Sequence, residues 1–457
     1  MLYSILKPII GFCLKAFFRK ITIIGRENLE IDGPAIYVSN HPNAFLDPLI
    51  LATTDRKKFH YIAGAEWFGK GLRNYIFRYQ FNMIPVIRPW LKTGEKVSND
   101  EMFEQCYQAL SEGKRIVIYP EGTSVTVSSI RELKTGAIRI KIGGDKYLKR
   151  IQSKWPEVKI VPVGLNYYAP RTFQSDVVLN VGEPIDFSHI KEKDESELIK
   201  RYTEETRNKM SETVFHFEEE GFDRISKDIY RYYGAHLRRK FSINKESTGS
   251  IYQLQKGIMN AVHYFHKKDP SILQSFQEQA DKLRSQLDEN QLDIRYLGDY
   301  GWHSFMLLKL IVGLPIFLVG WILNITPFRL TRWIFEKFLR PKFATTYEAG
   351  KLNPSFLSSM VFLLGMILFL LWYVVVSLIV SIWTGWWWLM AIMIITGYLT
   401  GVFAARYART WFDFYKMTRV VNRRRRRKKA YKKIKANWDQ LIVQLDFLQE
   451  EFDKANS

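Results

Sequence analysis

The sequence predicts an α/β layer fold, a mixed sheet flanked by helices, followed by a helical region and a C-terminal transmembrane helical hairpin. Three observations carry that reading. Short β-rich runs alternate with helical patterns from residue 21 to about 185, strands vanish from a charged stretch over 190–300, and long uncharged runs fill much of 301–406. Alternation places helices on the faces of a largely buried sheet. An uncharged run of about 20 residues spans a hydrocarbon core of about 30 Å.

The strands are expected at Ile21–Ile24, Ala35–Ser39, Met83–Ile87, Ile116–Tyr119, Lys159–Leu165 and Val177–Val181. The clearest helix starts at Ser98, which forms a capping box with Glu101. Phe103, Cys106, Tyr107 and Leu110 follow at helical spacing, and Gly113 closes the helix. These elements make one domain over 21–190. Ahead of it, residues 1–20 mix apolar residues with cations at 7, 15, 19 and 20. The apolar stretch is short for a signal peptide and no small-residue cleavage site follows, so an interfacial amphipathic helix is expected, with a packed N-terminal helix as the alternative.

The helical region, 191–300, includes Glu195–Phe217 and a stretch over Ser271–Asn290. His263 and His266 stand at i, i+3, a spacing open to metal binding. With no acid or cysteine beside them a surface helix is the expectation, and no metal site. The membrane region, 301–406, holds Phe356–Trp383 and Trp386–Ala405 without a charge, parted only by Thr384 and Gly385. They predict a tight hairpin with Trp386–Trp388 as interfacial aromatics at the turn. Gly397 and Gly401 give the GxxxG spacing that lets two backbones approach. A third segment, Phe305–Leu323, contains Lys309 and, at its centre, Pro315. The loop 325–355 carries six Lys or Arg against two acids, so it and the tail are expected on the cytoplasmic side. If the N-terminal domain faces the cytoplasm too, 305–323 is expected to be re-entrant, bending at Pro315.

Net charge is 67 − 46 = +21, which implies an anionic partner. Ten cations and no acid fall in residues 423–435, just past an apolar segment, within a polybasic tail (407–457) that ends in a helix. Such a block suits an anionic leaflet, each cation contributing roughly 1 kcal/mol. Elsewhere no aromatic-basic pattern or zinc-finger spacing of a nucleic-acid reader occurs, so membrane lipids are the expected partner and nucleic acid is not. Cys13 and Cys106 are too few for a disulfide framework or a metal centre.

The strongest chemical signal is Asn40-His41-Pro42-Asn43-Ala44-Phe45-Leu46-Asp47-Pro48. His41 follows a strand, and Asp47-Pro48 reads as the N-cap and first position of a helix. A histidine takes a proton from a hydroxyl near neutral pH, and a carboxylate on its far nitrogen fixes its tautomer. Asp47 is close enough to serve, although capping alone would also explain it. After the strand at Ile116–Tyr119 comes Pro120-Glu121-Gly122-Thr123-Ser124, a turn with polar groups at a strand end, where α/β folds bind ligands.

Together these motifs resemble the glycerolipid acyltransferases, the lysophosphatidate and glycerol-3-phosphate group with NHxxxxD and FPEGTRS motifs. The resemblance covers about residues 20–190. Met83-Ile84-Pro85-Val86-Ile87-Arg88 looks like the second block, which implies that Arg88 contacts the acceptor phosphate. Val161-Pro162-Val163 looks like the fourth block, implying a place along the acyl chain. Leu133-Lys134-Thr135-Gly136-Ala137 resembles the segment that follows the third block. Three departures stand out. Five residues, not four, separate His41 from Asp47; Ser124 replaces the third block's arginine; and Asn82 stands where the second block has glycine.

The resemblance implies direct acyl transfer. His41 acts as base and Asp47 orients it, Glu121 holds the glycerol hydroxyls, Gly122 and Thr123 shape the turn, and Arg88 and Lys134 hold phosphate. No GxSxG elbow occurs for a serine acyl-enzyme. The expected reaction moves a fatty acyl group from a thioester, acyl-CoA or acyl carrier protein, to 1-acyl-glycerol-3-phosphate, with no cofactor or metal. Glycerol 3-phosphate or another lysolipid as acceptor stays open, as does a silent membrane tether. The catalytic domain of an integral membrane protein is expected to face the cytoplasm.

Overall fold

A computed structural model describes the chain except residues 1, 56, 88–98, 126–128, 171, 218, 220, 245–246, 297–301, 342–353 and 457. It divides into two compact units, Met1–His216 with Ile334–Met366, and Phe217–Trp333 with Ile367–Ser457.

The first unit is a seven-stranded sheet in the order β1-β7-β6-β2-β5-β3-β4. Its strands are β1 (Lys20–Ile24), β2 (Ala35–Ser39), β3 (Phe59–Gly64), β4 (Met83–Val86), β5 (Arg115–Ile118), β6 (Lys159–Tyr167) and β7 (Asp176–Val181). From β6 to β4 neighbouring strands run parallel, while β7 is antiparallel to β6 and parallel to β1. The sheet is mixed, as predicted. All five β2 residues are buried because both faces are covered. Leu14 and Phe18, with Leu46, Ile50 and Leu51 of α2 (Leu46–Thr54), cover Tyr37, Val117 and Val161. On the opposite face, α4 (Asp100–Ser111), α5 (Gly136–Arg150) and α6 (Glu195–Thr213) cover Ile36, Val38, Ile116 and Ile160.

Six strands fall where the apolar runs place them, and one was missed. Phe59–Gly64 (FHYIAG) lacks a β-branched run and carries a histidine, yet it pairs with both β5 and β4. The predicted cap Ser98 lies outside the described residues. Here Asn99 precedes α4, and its side chain bonds both backbone groups of Ile87 (2.9 and 3.1 Å) instead of capping the helix. The N-terminal helix α1 (Leu2–Phe17) packs Leu14 into the core and leaves Ile5 and Phe12 exposed. It is therefore an integral layer of this unit with one apolar outer face. A short helix, α3 (Leu72–Tyr75), completes the unit's helices before α4.

In the second unit, α7 (Phe222–Lys240), α8 (Thr248–Lys268), α9 (Pro270–Glu289) and α13 (Lys428–Asn456) share one apolar core. The region read as one helical module is thus divided, with α6 serving the sheet and α7–α9 the second unit. Arg423 and Arg427 donate to the carbonyls of Gln291 (2.8 Å) and Glu289 (3.2 Å) at the end of α9, where cations are favoured. Six other cations of the polybasic block, Arg425, Arg426, Lys428, Lys429, Lys432 and Lys433, are exposed.

Three helices are long and apolar enough to cross a membrane. They are α10 (Trp302–Ile334, continuing through a wider turn to Leu339), α11 (Pro354–Thr384) and α12 (Leu389–Arg426). The turn between α11 and α12 holds Trp386–Trp388, exposed as expected. The re-entrant expectation for 305–323 is corrected, since α10 runs unbroken through Pro315 and Pro327 without reversing. The small-residue approach is also reassigned. Gly397 faces the Tyr373 ring, Gly401 faces Asn324, and a Cβ on Gly320 would lie 2.2 Å from the Thr400 carbonyl oxygen. At Gly320 the backbones of α10 and α12 approach closely.

Candidate active site

Parallel pairing of β2 with β5 decides the site's location. Val38 is in register with Ile118, so the chain leaves both strands at the same end of the sheet and side by side. One exit carries Asn40 and His41, the other Pro120–Ser124. Asn40 is the anchor: its amide donates to the Leu165 carbonyl (3.0 Å) and accepts from the Leu165 N–H (2.7 Å), fastening the loop to β6.

His41 Nδ1 lies 2.8 Å from Asp47 Oδ2. Asp47 is fully buried, and His41 keeps about a fifth of its side chain exposed. A carboxylate at Nδ1 makes that nitrogen the N–H donor and leaves Nε2 with its lone pair, the state a general base needs. The predicted cap geometry is corrected. The helix begins at Leu46, so Asp47 sits inside its first turn and turns back to the loop. There it also accepts from the Asn43 N–H (2.8 Å) and the Tyr167 hydroxyl (2.6 Å). Three donors satisfy the buried carboxylate.

Two tyrosines flank the pair. The Tyr119 ring stacks on His41 with centroids 4.1 Å apart and planes 17° off parallel. Burial, reinforced by the Asp47 charge, pushes the phenols of Tyr119 and Tyr167 well above their ordinary range, so both stay protonated. Tyr167 lies 120 residues from Asp47, beyond any local pattern.

The turn after β5 brings Glu121 close enough for its charge to be felt by the pair, and the reverse. Burial raises the Glu121 carboxyl; Arg131 and then His41 pull it down, and Asp47 pushes it up again. Arg131 holds it at 2.6 Å through Nε, bonds Thr123 Oγ1 at 2.8 Å, and reaches the Thr123 carbonyl. Sequence reasoning passed over Arg131. Gly122 sits at φ +75°, and a Cβ there would come within 2.7 Å of the Lys134 ammonium, so Lys134 lies directly against the turn. Arg88 lies outside the described residues.

The departures from the family pattern find physical reasons. The extra residue between His41 and Asp47 is absorbed by Ala44 at φ +40°, a region alanine rarely adopts. Ser124, in place of arginine, accepts from the Ala44 N–H (2.9 Å) and donates to the His41 carbonyl (2.8 Å), stitching the two loops together. Asn82 adopts φ +53°, which asparagine tolerates where glycine is usual.

The Acyltransferase family model matches residues 20–166. The chain is 32% identical over 118 residues to glycerol-3-phosphate O-acyltransferase 1 of Saccharomyces cerevisiae, covering 24% of this chain and 15% of the yeast protein. It is 31% identical over 124 residues to a 1-acyl-sn-glycerol-3-phosphate acyltransferase of Chlamydomonas reinhardtii, covering 27% and 35%. A chloroplastic 1-acyl-sn-glycerol-3-phosphate acyltransferase of Arabidopsis thaliana matches at 32%, covering 27% and 33%. The matches therefore span about a third or less of these relatives. The crystal structure of PlsC, the 1-acyl-sn-glycerophosphate acyltransferase of Thermotoga maritima, aligns over 44% of this chain and 77% of its own, with TM-score 0.31 and 21% identity.

No metal-binding group of three His, Cys, Asp or Glu occurs among the described residues. His266 does have an acidic neighbour that the sequence reading missed, Glu219 at 2.9 Å, while His263 packs on Phe217 and Phe222. The pair is a helix-surface feature of the second unit, outside residues 20–166.

Proposed function

We propose that this protein is a membrane-bound O-acyltransferase that moves a fatty acyl group from a thioester to the free hydroxyl of 1-acyl-glycerol-3-phosphate, giving phosphatidate. The observation that carries the reading is the side-by-side exit of β2 and β5, which sets the His41–Asp47 pair next to the Glu121 turn. In the proposed mechanism His41 Nε2 takes the acceptor's hydroxyl proton as the oxygen attacks the thioester carbonyl. Collapse of the tetrahedral adduct expels the thiolate, which recovers the proton from the imidazolium. Asp47 stabilises that imidazolium and holds its orientation. Glu121 would hold the acceptor's glycerol portion, with Gly122 and Thr123 setting the turn. Lys134, against Gly122, supports a phosphate site, to which the resemblance adds Arg88.

The donor is proposed to be acyl-CoA or acyl carrier protein, with no cofactor. The catalytic domain is proposed to face the cytoplasm, with the six exposed cations of 423–435 on the anionic leaflet of that same side, which requires that α10 not cross the membrane although its length allows it. The names of the relatives support a glycerol phosphate or its monoacyl ester as acceptor.

The test is the full chain in detergent, given a labelled acyl thioester and a panel of lysophosphatidate, glycerol 3-phosphate and lysophosphatidylcholine. Lysophosphatidate is expected to show the highest kcat/KM, and His41→Ala to lower it by about 10²–10⁴-fold without a change in thermal midpoint. A folded His41→Ala protein with most of its activity would refute the mechanism. Preference for another acceptor would refute the substrate assignment and leave the mechanism standing.

A further inference from the structure

The start of α11 reaches the loop that carries His41. Ser359, fully buried, donates from its hydroxyl to the Asn43 carbonyl (2.6 Å) and is the acceptor for the Leu46 N–H (3.1 Å). Its neighbour Ser358 donates to the Pro170 carbonyl (2.8 Å), which also accepts from the Asn43 side-chain amide (3.2 Å). Phe356 and Phe362 meet Phe45 and Phe17 edge-on, with centroids 5.8 and 5.3 Å apart.

The bonded segment, Asn43–Leu46, is the lengthened part of the His41-to-Asp47 connection. Ala44 holds φ +40° there, and a residue in so sparse a region persists only where its surroundings dictate it. Two hydroxyls do so from opposite sides in sequence. Ser124 takes the Ala44 N–H, while Ser359 takes the flanking Asn43 carbonyl and Leu46 N–H. Asp47 follows directly and accepts from the Asn43 N–H of the same segment, whose turn is also closed by the Leu46 N–H on the Asn43 carbonyl (3.0 Å). An ordinary helix serine returns its hydroxyl to a carbonyl of its own helix, as Ser377 of α11 does to Val374 (3.0 Å). Ser359 turns donor and acceptor outward.

We propose that Ser359 is a positioning residue for the His41–Asp47 pair, so that the first turns of an apolar, membrane-type helix are a working part of the transfer site. The proposal rests on the reading of His41 as the base. It also gives the C-terminal extension a role in the chemistry beyond anchoring.

The experiment uses the full chain in detergent with Ser359→Ala, Ser359→Thr, Ser377→Ala and His41→Ala. Turnover is measured alongside amide hydrogen exchange over residues 43–47 and 119–123. Ser359→Ala is expected to lower kcat about tenfold, since small misplacements of reacting groups are costly, with both KM values within about twofold. Exchange over 43–47 should quicken and that over 119–123 stay put. Ser359→Thr, which keeps the hydroxyl, should recover most of kcat, and Ser377→Ala should match the parent. Parent-like kcat and exchange in Ser359→Ala would overturn the proposal. A raised KM for the thioester at unchanged kcat would overturn it in favour of a lining role, and equal losses in the Ala and Thr variants would reduce Ser359 to packing. An active His41→Ala protein would instead sink the base assignment, and the exchange rates over 43–47 alone would then decide whether Ser359 holds the loop.

Discussion

The two units hold themselves together in different ways. In the first unit buried polar side chains around His41 are aimed at backbone groups: Asn40 at Leu165 of β6, Asp47 at Asn43, Ser124 at Ala44. In the second unit α7, α8, α9 and α13 share a continuous apolar core, with side-chain pairs between the helices around it, such as Arg224 with Asp281 (2.6 Å) and Tyr233 with Asp446 (2.6 Å). Directional bonds fix positions to a fraction of an ångström, and apolar area fixes only proximity. On the proposed function the chemistry belongs to the first unit, and a single atom changed there should alter rate more than stability. In the second unit the reverse is expected.

Asp47→Asn should show the first half of that contrast most strongly. The amide keeps the shape but offers its N–H₂ to His41 Nδ1, which turns the lone pair inward and places the proton on Nε2, the wrong tautomer for a base. A loss of about 10²–10⁴-fold in kcat is expected with a far smaller change in thermal midpoint. Equal losses of rate and of folded protein would break the comparison. Gly320→Val tests the other half. A Cβ at 320 meets the Thr400 carbonyl oxygen at 2.2 Å, and that oxygen is backbone, so α10 and α12 must separate. Overpacking of this kind costs about 1–3 kcal/mol, read as a lower unfolding midpoint in detergent, while kcat of the surviving folded protein should stay within about twofold.

The same difference governs what could be read from the sequence. His41, Asp47, Glu121 and Gly122 were legible because each sits within a few residues of a strand end, where short-range spacing and residue type carry the information. Tyr167, Arg131 and Ser359 were not, because their partners lie 120, 10 and 316 residues away and no local pattern marks a hydroxyl or guanidinium that will meet a distant loop. The sheet was legible wherever a strand is a β-branched run, as in Ile36, Val38 and Ile116–Ile118, and failed at Phe59–Gly64, whose pairing is imposed by β5 and β4. In the membrane segments composition marked the helices correctly. It could not tell that Pro315 would be carried inside a straight-through helix, because a proline removes one backbone bond and leaves the direction of the chain to its neighbours.

The strand that the sequence hid also holds the weakest point in the contrast between the units. His60 of β3 is half-buried, and its Nδ1 is fully buried with no hydrogen-bond partner among the described residues. Its pKa falls to about 4, chiefly through burial and then through Lys114, with the Arg115 backbone and Glu112 acting against them. The consequence for stability has a definite sign. Below about pH 6.5 an unfolded chain protonates this ring while the folded one resists until about pH 4, so the unfolded state binds more protons and stability falls as pH drops through that window. The effect is expected to be the smallest of those argued, because the ring keeps some access to solvent. Glu121 and Asp145, whose carboxyls burial raises, oppose it over the same range. Comparison of His60→Gln with the parent cancels those acids. The thermal midpoint of the variant should fall less than the parent's between pH 6.5 and 4, whereas parallel curves would mean that water reaches Nδ1 and that this buried polar atom, too, has its partner.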